Sequence, residues 1–493
     1  MRGARVRRET MRSNYRVNAT TQFKVLSCDQ LSEIQSATME VLERTGVNIF
    51  DKEALELFRK AGAKVDRNRV RIPSHLVEWA LKSAPSRVVL CDRNGSRRLF
   101  LEGHNSYFGP GPTNNFTIDV FTGERRKVRK EDNRRTGILV DALPNIDFAM
   151  DLGTPSDVTA TLADIHAFEA LLSNTTKPIT AWGFDVSGYQ TIIDMCVAVA
   201  GSLEDLRQNP FVCLYSEPSS PLQHSEEAIS KLLFMAGQGL PAVYTPCVMA
   251  GGTAPATMAG TLVIANSECM VGVVASQLKR EGAPVIVGGV VTIMDMGSTV
   301  FSYGAPELSL LQAGLTELAH YNGLPVFGTA GCTDSKGLDQ QAAIEGALSI
   351  MMAAESGANL IHDVGYSEYG STGSQLQMVM ANDIIGYVKR VIRGIRVDQN
   401  ALAVNVIEAV GPGGHFLAEP HTLAHFRTET TNLDLVDRRR YDDWKARGEL
   451  SMGDRVRERA RQILETHKPK PLEKEARSKI DQIIQDAENR VGK

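Results

Sequence analysis

From Asn145 onward, short runs that are apolar on both faces alternate with longer runs that are apolar on one side only. IDFAMDLGTP leads into TLADIHAFEALLSNT, ITAWGFD into QTIIDMCVAVAGS, PFVCLYSEP into SEEAISKLLFMAGQG, and PAVYTPCVMAGG into a helical region from Ala256 to Glu281. PVIVGGVV runs through MDMGSTVFSYG to PELSLLQAGLTELAHYNG; PVFGTAG and NLIHDVGY follow, with helices DQQAAIEGALSIMMAAESG and QMVMANDIIGYVKRVI. Strands apolar on both faces are buried parallel strands, so seven strand-then-helix units predict a (β/α)₈ TIM-type barrel. An eighth strand is expected within ALAVNVIEAVGPGGHFLA. The alternative, an open doubly wound sheet, lacks its usual phosphate loops: no GxGxxG follows the first strand, and GxxxxGK before Ser or Thr is absent.

Ahead of the barrel the pattern changes. LSEIQSATMEVLERTGV, KEALELFRKAGA and SHLVEWALKSAP read as helices, and RVVLCD and RRLFLEG as strands joined by the turn RNGS. The stretch HNSYFGPGPTNNFTIDVFTGE reads as a loop, because its prolines lack amide donors and its glycines loosen the backbone. The division expected is a basic tail over 1–25, an α+β subdomain over 26–141, the barrel over 142–450 and a charged helical extension over 451–493, whose charge runs suit a solvated face.

Composition narrows the partners. With 54 basic and 58 acidic residues in 493, the net charge of -4 provides no field for nucleic acid or an anionic membrane. Seven cysteines without a CxxC pair suit reduced thiols in the cytoplasm. The arginine-rich N-terminus lacks the apolar core of a secretory signal. The apolar run from Leu262 to Val274 is cut by Asn266, Ser267 and Glu268, short of the ~18 uninterrupted apolar residues of a spanning helix. A soluble, cytoplasmic protein is expected.

A barrel carries its site at the carboxyl ends of its strands. Those ends are Asp151; Trp182 and Asp185; Tyr215 and Glu217; Tyr244 and Thr253; Thr292 and Asp295; Cys332 to Asp334 and Lys336; and His362, Asp363 and Tyr366. His415 joins them if its segment closes the barrel. Candidates for catalysis are His362 and Asp334; candidates for substrate binding are Tyr107, Phe108, Tyr215, Tyr366 and His415. Cys332 reads either as a nucleophile in a glycine corner or as a small residue in a tight turn. Adjacent residues on a strand face opposite ways, which argues against His362 and Asp363 acting as a pair. No histidine spacing forms a metal pattern, and no metal is expected. The aromatic side chains near strand ends suit an organic cation.

Three stretches, GPGPTNNFTIDVFTGERR, TAGCTDSKGLDQQAAIEGALSIMMAAESGANLIHDVGY and GPGGHFLAEPHTLAHFR, make the chain, from about Leu31 onward, resemble the trimethylamine methyltransferase family. The similarity points to members that lack pyrrolysine and demethylate quaternary amines such as glycine betaine. It implies a barrel that moves a methyl group from substrate nitrogen to cob(I)alamin on a separate corrinoid protein, releasing a tertiary amine such as dimethylglycine; a homo-oligomer is the expected assembly. The family's pyrrolysine falls, by this resemblance, near Cys332 to Asp334, where the chain has standard residues only. Carnitine, γ-butyrobetaine or proline betaine are alternative substrates of the same chemistry, and a non-catalytic betaine-binding barrel is the alternative of another class.

Overall fold

Parallel pairing joins seven strands into one sheet in the computed structural model, which describes residues 20–491. In chain order they are β1 (Tyr107–Phe108), β2 (Ile179–Trp182), β3 (Val212–Ser216), β4 (Ala242–Tyr244), β5 (Val285–Gly288), β6 (Val326–Thr329) and β7 (Leu360–His362). Across the sheet they lie in the order β1-β7-β6-β5-β4-β3-β2. Residues 146–150 fill the remaining gap. The Asp147 amide donates to the Phe108 carbonyl at 2.6 Å, the Ala149 amide donates to Pro178 at 2.9 Å, and the Thr180 amide returns to Ala149 at 2.9 Å. The barrel is closed, with eight positions.

One strand lies elsewhere than expected. The segment ALAVNVIEAVGPGGHFLA forms the helices Gln399–Leu402 and Val404–Val410 outside the barrel, and β1 takes the open place, pairing Tyr107 with Leu360 and Phe108 with Ile361. The barrel sheet therefore begins before residue 142. Beyond β1, the stretch read as loop holds a further strand, Phe116–Ile118, paired antiparallel with Arg125–Lys127 and parallel with Thr372–Gly373.

The polar corners of the sequence are helix caps. Asp185, Ser225, Asp339 and Ser374 each accept a hydrogen bond from a first-turn amide of the helix that follows β2, β3, β6 and β7. Gly239 and Gly357 end two of these helices in the left-handed conformation. β4 and β5 do not stop at the barrel rim. Beyond short breaks they continue as Cys247–Ala250 and Val290–Ile293, which pair parallel above it. The break at Gly288 has a steric reason: a Cβ there would lie 1.8 Å from the Phe327 carbonyl oxygen.

The barrel interior is packed by Phe148, Cys213, Val243, Ile286, Phe327 and Leu360, and it is plugged from the amino-terminal end by Leu90, Leu99 and Leu101 of the hairpin Val88–Cys91 and Arg97–Leu101. The interior is thus a solid floor, and space is left only at the carboxyl ends of the strands.

The amino-terminal section is not a free-standing unit. Its sheet runs in the order Gln223–His224, Val47–Ile49, Arg69–Arg71, Lys64–Asp66, so the loop after β3 supplies one edge strand. Its helices Cys28–Glu40, Lys52–Lys60 and Ser74–Ser83 pack on Met258–Lys279. That helix, at 22 residues, is long and apolar enough by composition to cross a membrane, yet most of it is buried inside the protein. Its polar residues have internal partners: Asn266 donates to Gln35 at 2.9 Å and Thr38 at 3.0 Å, and Glu268 accepts from Ser220 at 2.7 Å and Leu222 at 2.5 Å.

The carboxy-terminal helices also dock rather than float. Met452–Thr466 buries Val456, Ala460 and Ile463, and Lys474–Val491 buries Ala476, Ile480 and Ala487. Charged residues on the outer faces add cross-links, including Arg477 to Glu169 at 2.7 Å and His467 to Asp141 at 2.8 Å. Because the hairpin plug is the barrel floor, Leu99→Ala is expected to lower the unfolding free energy by about 2–5 kcal/mol in denaturant titration, from lost burial and a residual cavity.

Candidate functional site

The carboxyl end of β7 carries the centre of the site. His362 is buried inside the barrel, with its ring 4.0 Å from that of Phe327 and 6.2 Å from that of Tyr215. Its Nδ1 donates to the Gly328 carbonyl at 2.8 Å, and burial holds its pKa down to about 3. The ring is therefore neutral, with Nε2 left as an acceptor.

Asp363 leaves the strand with a φ of 70°, and this turn brings its Oδ1 to 3.3 Å from His362 Nε2. The strand alternation that separates neighbouring side chains stops at His362, so the two residues do come together. Asp363 is 1% exposed, and neither carboxyl oxygen has a hydrogen-bond partner among the described residues. Burial, and then the charge of Glu217, push its pKa well above the usual carboxylate range. An unpartnered buried carboxyl group is costly, and it invites a ligand.

The GPGP stretch lies directly on this carboxyl group. A Cβ on Gly111 would come within 2.1 Å of Asp363 Oδ1 and 2.5 Å of the Tyr366 ring, and one on Gly109 would come within 2.6 Å of Phe148. Only glycine lets the backbone pass so close. Tyr366 donates its hydroxyl to the Pro112 carbonyl, and Asp151 accepts from the Thr113 amide at 3.0 Å. The loop is held at both ends.

Opposite stand Tyr215 and Glu217 from the end of β3, joined by a 2.5 Å bond from the Tyr215 hydroxyl to Glu217 Oε2. Glu217 has exposed surface although protein encloses it on nearly every side, which marks a side chain facing a deep cavity. Its dehydration is therefore partial; burial raises its pKa while Tyr215 and the charge of Lys231 lower it. Tyr303 and Cys247 combine the same partial exposure with deep enclosure. Tyr303 meets Tyr366 edge-on at 5.6 Å and Phe301 at 5.2 Å.

The 332–334 corner braces this wall. The Cys332 thiol lies 3.6 Å from the Tyr303 carbonyl, and burial raises its pKa well above the ordinary value, so it stays a thiol. Thr333 donates to Glu345 at 2.5 Å. Asp334 accepts from the Ser302 hydroxyl at 2.5 Å and the Tyr303 amide at 2.9 Å, which positions the Tyr303 loop.

His362, Tyr215 and Tyr366 of the sequence candidates thus meet at the mouth, with Asp334 behind them. Tyr107 does not: its hydroxyl accepts from the Phe100 amide at 3.2 Å, and its side chain packs against the floor. Phe108, its neighbour on the strand, joins the core between the strands and the outer helices. His415 is exposed on the outer segment, away from the barrel. Tyr303 and Cys247 were not among the sequence candidates, because they follow breaks in β5 and β4 that no strand-end rule anticipates. Among the described residues, no three His, Cys, Asp or Glu side chains converge as metal ligands.

A barrel with an enclosed, acidic and aromatic mouth at the carboxyl ends of its strands is the architecture of a small-molecule enzyme site. Matched over residues 1–492, the chain belongs to the trimethylamine methyltransferase family, and it is a methyltransferase. It is 37% identical to trimethylamine methyltransferase MttB of Desulfitobacterium hafniense, with 94% of each chain covered. It is 30% identical to a glycine betaine methyltransferase from another strain of that species, covering 96% of this chain and 98% of the relative. The trimethylamine methyltransferase of Methanosarcina barkeri is 32% identical over 95% and 96%. The crystal structure of the monomethylamine methyltransferase of Methanosarcina barkeri shares the fold, at a TM-score of 0.50 and 12% identity, covering 90% and 88%.

Asp151 provides a test of the mouth electrostatics. Burial raises its pKa from 3.8 to about 6, so the native protein holds a proton that the unfolded chain releases. The share of stability tied to this proton is present below the unfolded value and is lost as pH rises to about 6. Asp151→Asn is expected to remove up to ~3 kcal/mol of that pH-dependent loss, read from denaturation midpoints at pH 4 and pH 7.

Proposed function

We propose that this chain transfers a methyl group from a quaternary amine, glycine betaine foremost, to cob(I)alamin carried by a corrinoid protein. The observation that carries the reading is the mouth itself. Tyr215, Tyr303 and Tyr366 surround two carboxyl groups, Glu217 and Asp363, and no ion pair to lysine or arginine joins either carboxyl among the described residues. Aromatic faces attract an ammonium group, and a buried carboxyl group supplies the opposite charge. His362, neutral and bound through Nδ1 to the Gly328 carbonyl, presents only its Nε2 lone pair to Asp363, which favours the protonated carboxyl group there.

The chemistry balances without a proton donor. The electron pair of cobalt(I) forms a bond to the methyl carbon as the carbon–nitrogen bond breaks, and that bonding pair stays on nitrogen. The products are methylcob(III)alamin and a neutral tertiary amine. The protein binds the cation, points one methyl group outward and excludes water. A tertiary amine lacks the permanent charge that makes this leaving group good. The side chains at 332–334, where the family resemblance puts pyrrolysine, are occupied with each other and with the Tyr303 loop. This favours the quaternary substrate, and a cytoplasmic site for a reaction that needs reduced cobalt.

Charge in the transition state sets a limit on the carboxylates. Nitrogen loses its positive charge as methyl leaves, so a strong anion beside it stabilises the ground state more than the transition state. Burial disfavours the ionised form of Asp363 and, less completely, of Glu217, which softens that penalty, and binding of the cation favours loss of a proton.

The expected result is methylcobalamin formation when the protein, a corrinoid protein and glycine betaine are mixed, followed by corrinoid absorbance. Turnover with trimethylamine but with no betaine, or binding without turnover, would overturn the reading. Affinity for glycine betaine should rise with pH as Asp363 and Glu217 ionise, with proton release seen by calorimetry in buffers of different ionisation enthalpy. Asp363→Asn should weaken binding about tenfold, or ~1.4 kcal/mol, and flatten that pH profile. Tyr107→Phe, at the barrel floor, should change neither.

A further inference from the structure

We propose that Lys231 is a positioning residue for the substrate: its buried ammonium group divides the two carboxyl groups of the mouth into one anion, Glu217, and one acid, Asp363. The inference rests on the reading of the mouth as the seat of a quaternary ammonium group.

Lys231 is 7% exposed and lies on the buried face of helix Glu226–Gln238, in step with Ala228 and Met235. A lysine enclosed in this way costs stability unless its charge is offset. Its Nζ donates to the Gly183 carbonyl at 2.8 Å, just past β2, and lies 5.4 Å from the centre of the Tyr189 ring. The Tyr189 hydroxyl donates to the Tyr215 carbonyl, and the Tyr215 hydroxyl donates to Glu217. A chain of contacts thus ties the ammonium group to the end of β3, where Glu217 faces the cavity.

Among the described residues Lys231 forms no ion pair, so its charge acts through space rather than being consumed by one partner. Four carboxyl groups share its field: Glu217, Asp164 ahead of β2, Asp185 at the cap of the helix after β2, and Glu227 on its own helix. Of these, Glu217 is the one bonded to Tyr215 at the mouth. The other titrating groups around Glu217 are Tyr189, Tyr215, Tyr366, Cys247 and Asp363, and none of them brings positive charge.

Asp363 has the opposite surroundings. Glu217 is the charge that acts on it, and the lone pair of His362 Nε2 stands 3.3 Å from its Oδ1. Neighbouring carboxyl groups do not ionise together, so the one beside the ammonium group gives up its proton first. A single negative charge then faces the substrate, on the β3 side. The substrate nitrogen is drawn toward Glu217, while Asp363 adds no second anion to stabilise the ground state.

Infrared titration of the carboxyl band in the ligand-free, full-length protein, wild type minus Glu217→Gln, reads the Glu217 proton directly. Lys231→Met is expected to move that titration up by about one pH unit, with Lys231→Gln as a second uncharged variant and Lys231→Arg keeping the wild-type value. Calorimetry with tetramethylammonium and glycine betaine reads the consequence. In Lys231→Met the rise of affinity with pH is expected to shift upward for both compounds, and in a Glu217→Gln background Lys231→Met is expected to shift nothing. A Glu217 titration unmoved in both uncharged variants overturns the proposal, as does an affinity shift that persists in the Glu217→Gln background. A loss confined to glycine betaine also overturns it, since Lys231 would then grip the substrate carboxylate instead. A wild type that binds neither compound overturns the reading of the mouth and the positioning role with it, whereas binding without the infrared shift overturns the inference alone.

Discussion

Two residues, Tyr107 and Phe108, hold the last seam of the barrel between β7 and the stretch around Asp147, and the site depends on that seam. The chain that leaves it runs straight into Gly109, whose amide donates to Ile361 at 2.9 Å and whose carbonyl accepts from Val364 at 3.2 Å. The next residues lie on Asp363 and Tyr366. Barrel closure and the cover over the carboxyl group are thus one piece of backbone. This is why the glycines and prolines of GPGP matter: they let the chain turn from a ladder strand into a roof within a few residues.

The mouth divides its labour between residues that face the cavity and residues that hold them. Tyr303 faces it, and Asp334 fixes the Tyr303 amide while Glu345 fixes Asp334 in turn. Glu217 faces it from the other side, tied through Tyr215. The facing groups are electron-rich; backbone amides hold the Tyr303 side of the wall and the Tyr215 hydroxyl holds Glu217, which keeps the wall rigid. Rigidity matters when the task is to hold one carbon on the line between nitrogen and cobalt.

The strand-and-helix order of the barrel was readable from the sequence because seven of its strands are apolar runs between capped helices. The eighth was not, since β1 is two residues long and its partner β7 lies far along the chain. The outer arm has apolar residues that suit a strand in pattern, yet it folds into short helices that leave them exposed. Tyr215, His362 and Tyr366 were readable because each ends or follows a strand that runs to the rim. Tyr303 and Cys247 were hidden by breaks at Gly288 and after Tyr244, where sterics at the backbone, rather than any periodicity, start a second storey. Asp363 illustrates the limit of alternation. A single residue with positive φ put it beside His362, and no pattern in the neighbouring residues signals that turn.

The seam formed by β1 and β7 also has a bearing on how the chain is made. During synthesis β1 emerges early, while β7 comes after six further strand-and-helix units, so the growing sheet carries two open edges for most of that time. Open edges of apolar parallel strands are the surfaces on which partly made chains stick to one another. The amino-terminal sheet waits as well, because its edge strand Gln223–His224 arrives only after β3. Cohesion of this protein is therefore acquired late and nearly all at once, and the ribosome must release most of the barrel before any of it is finished.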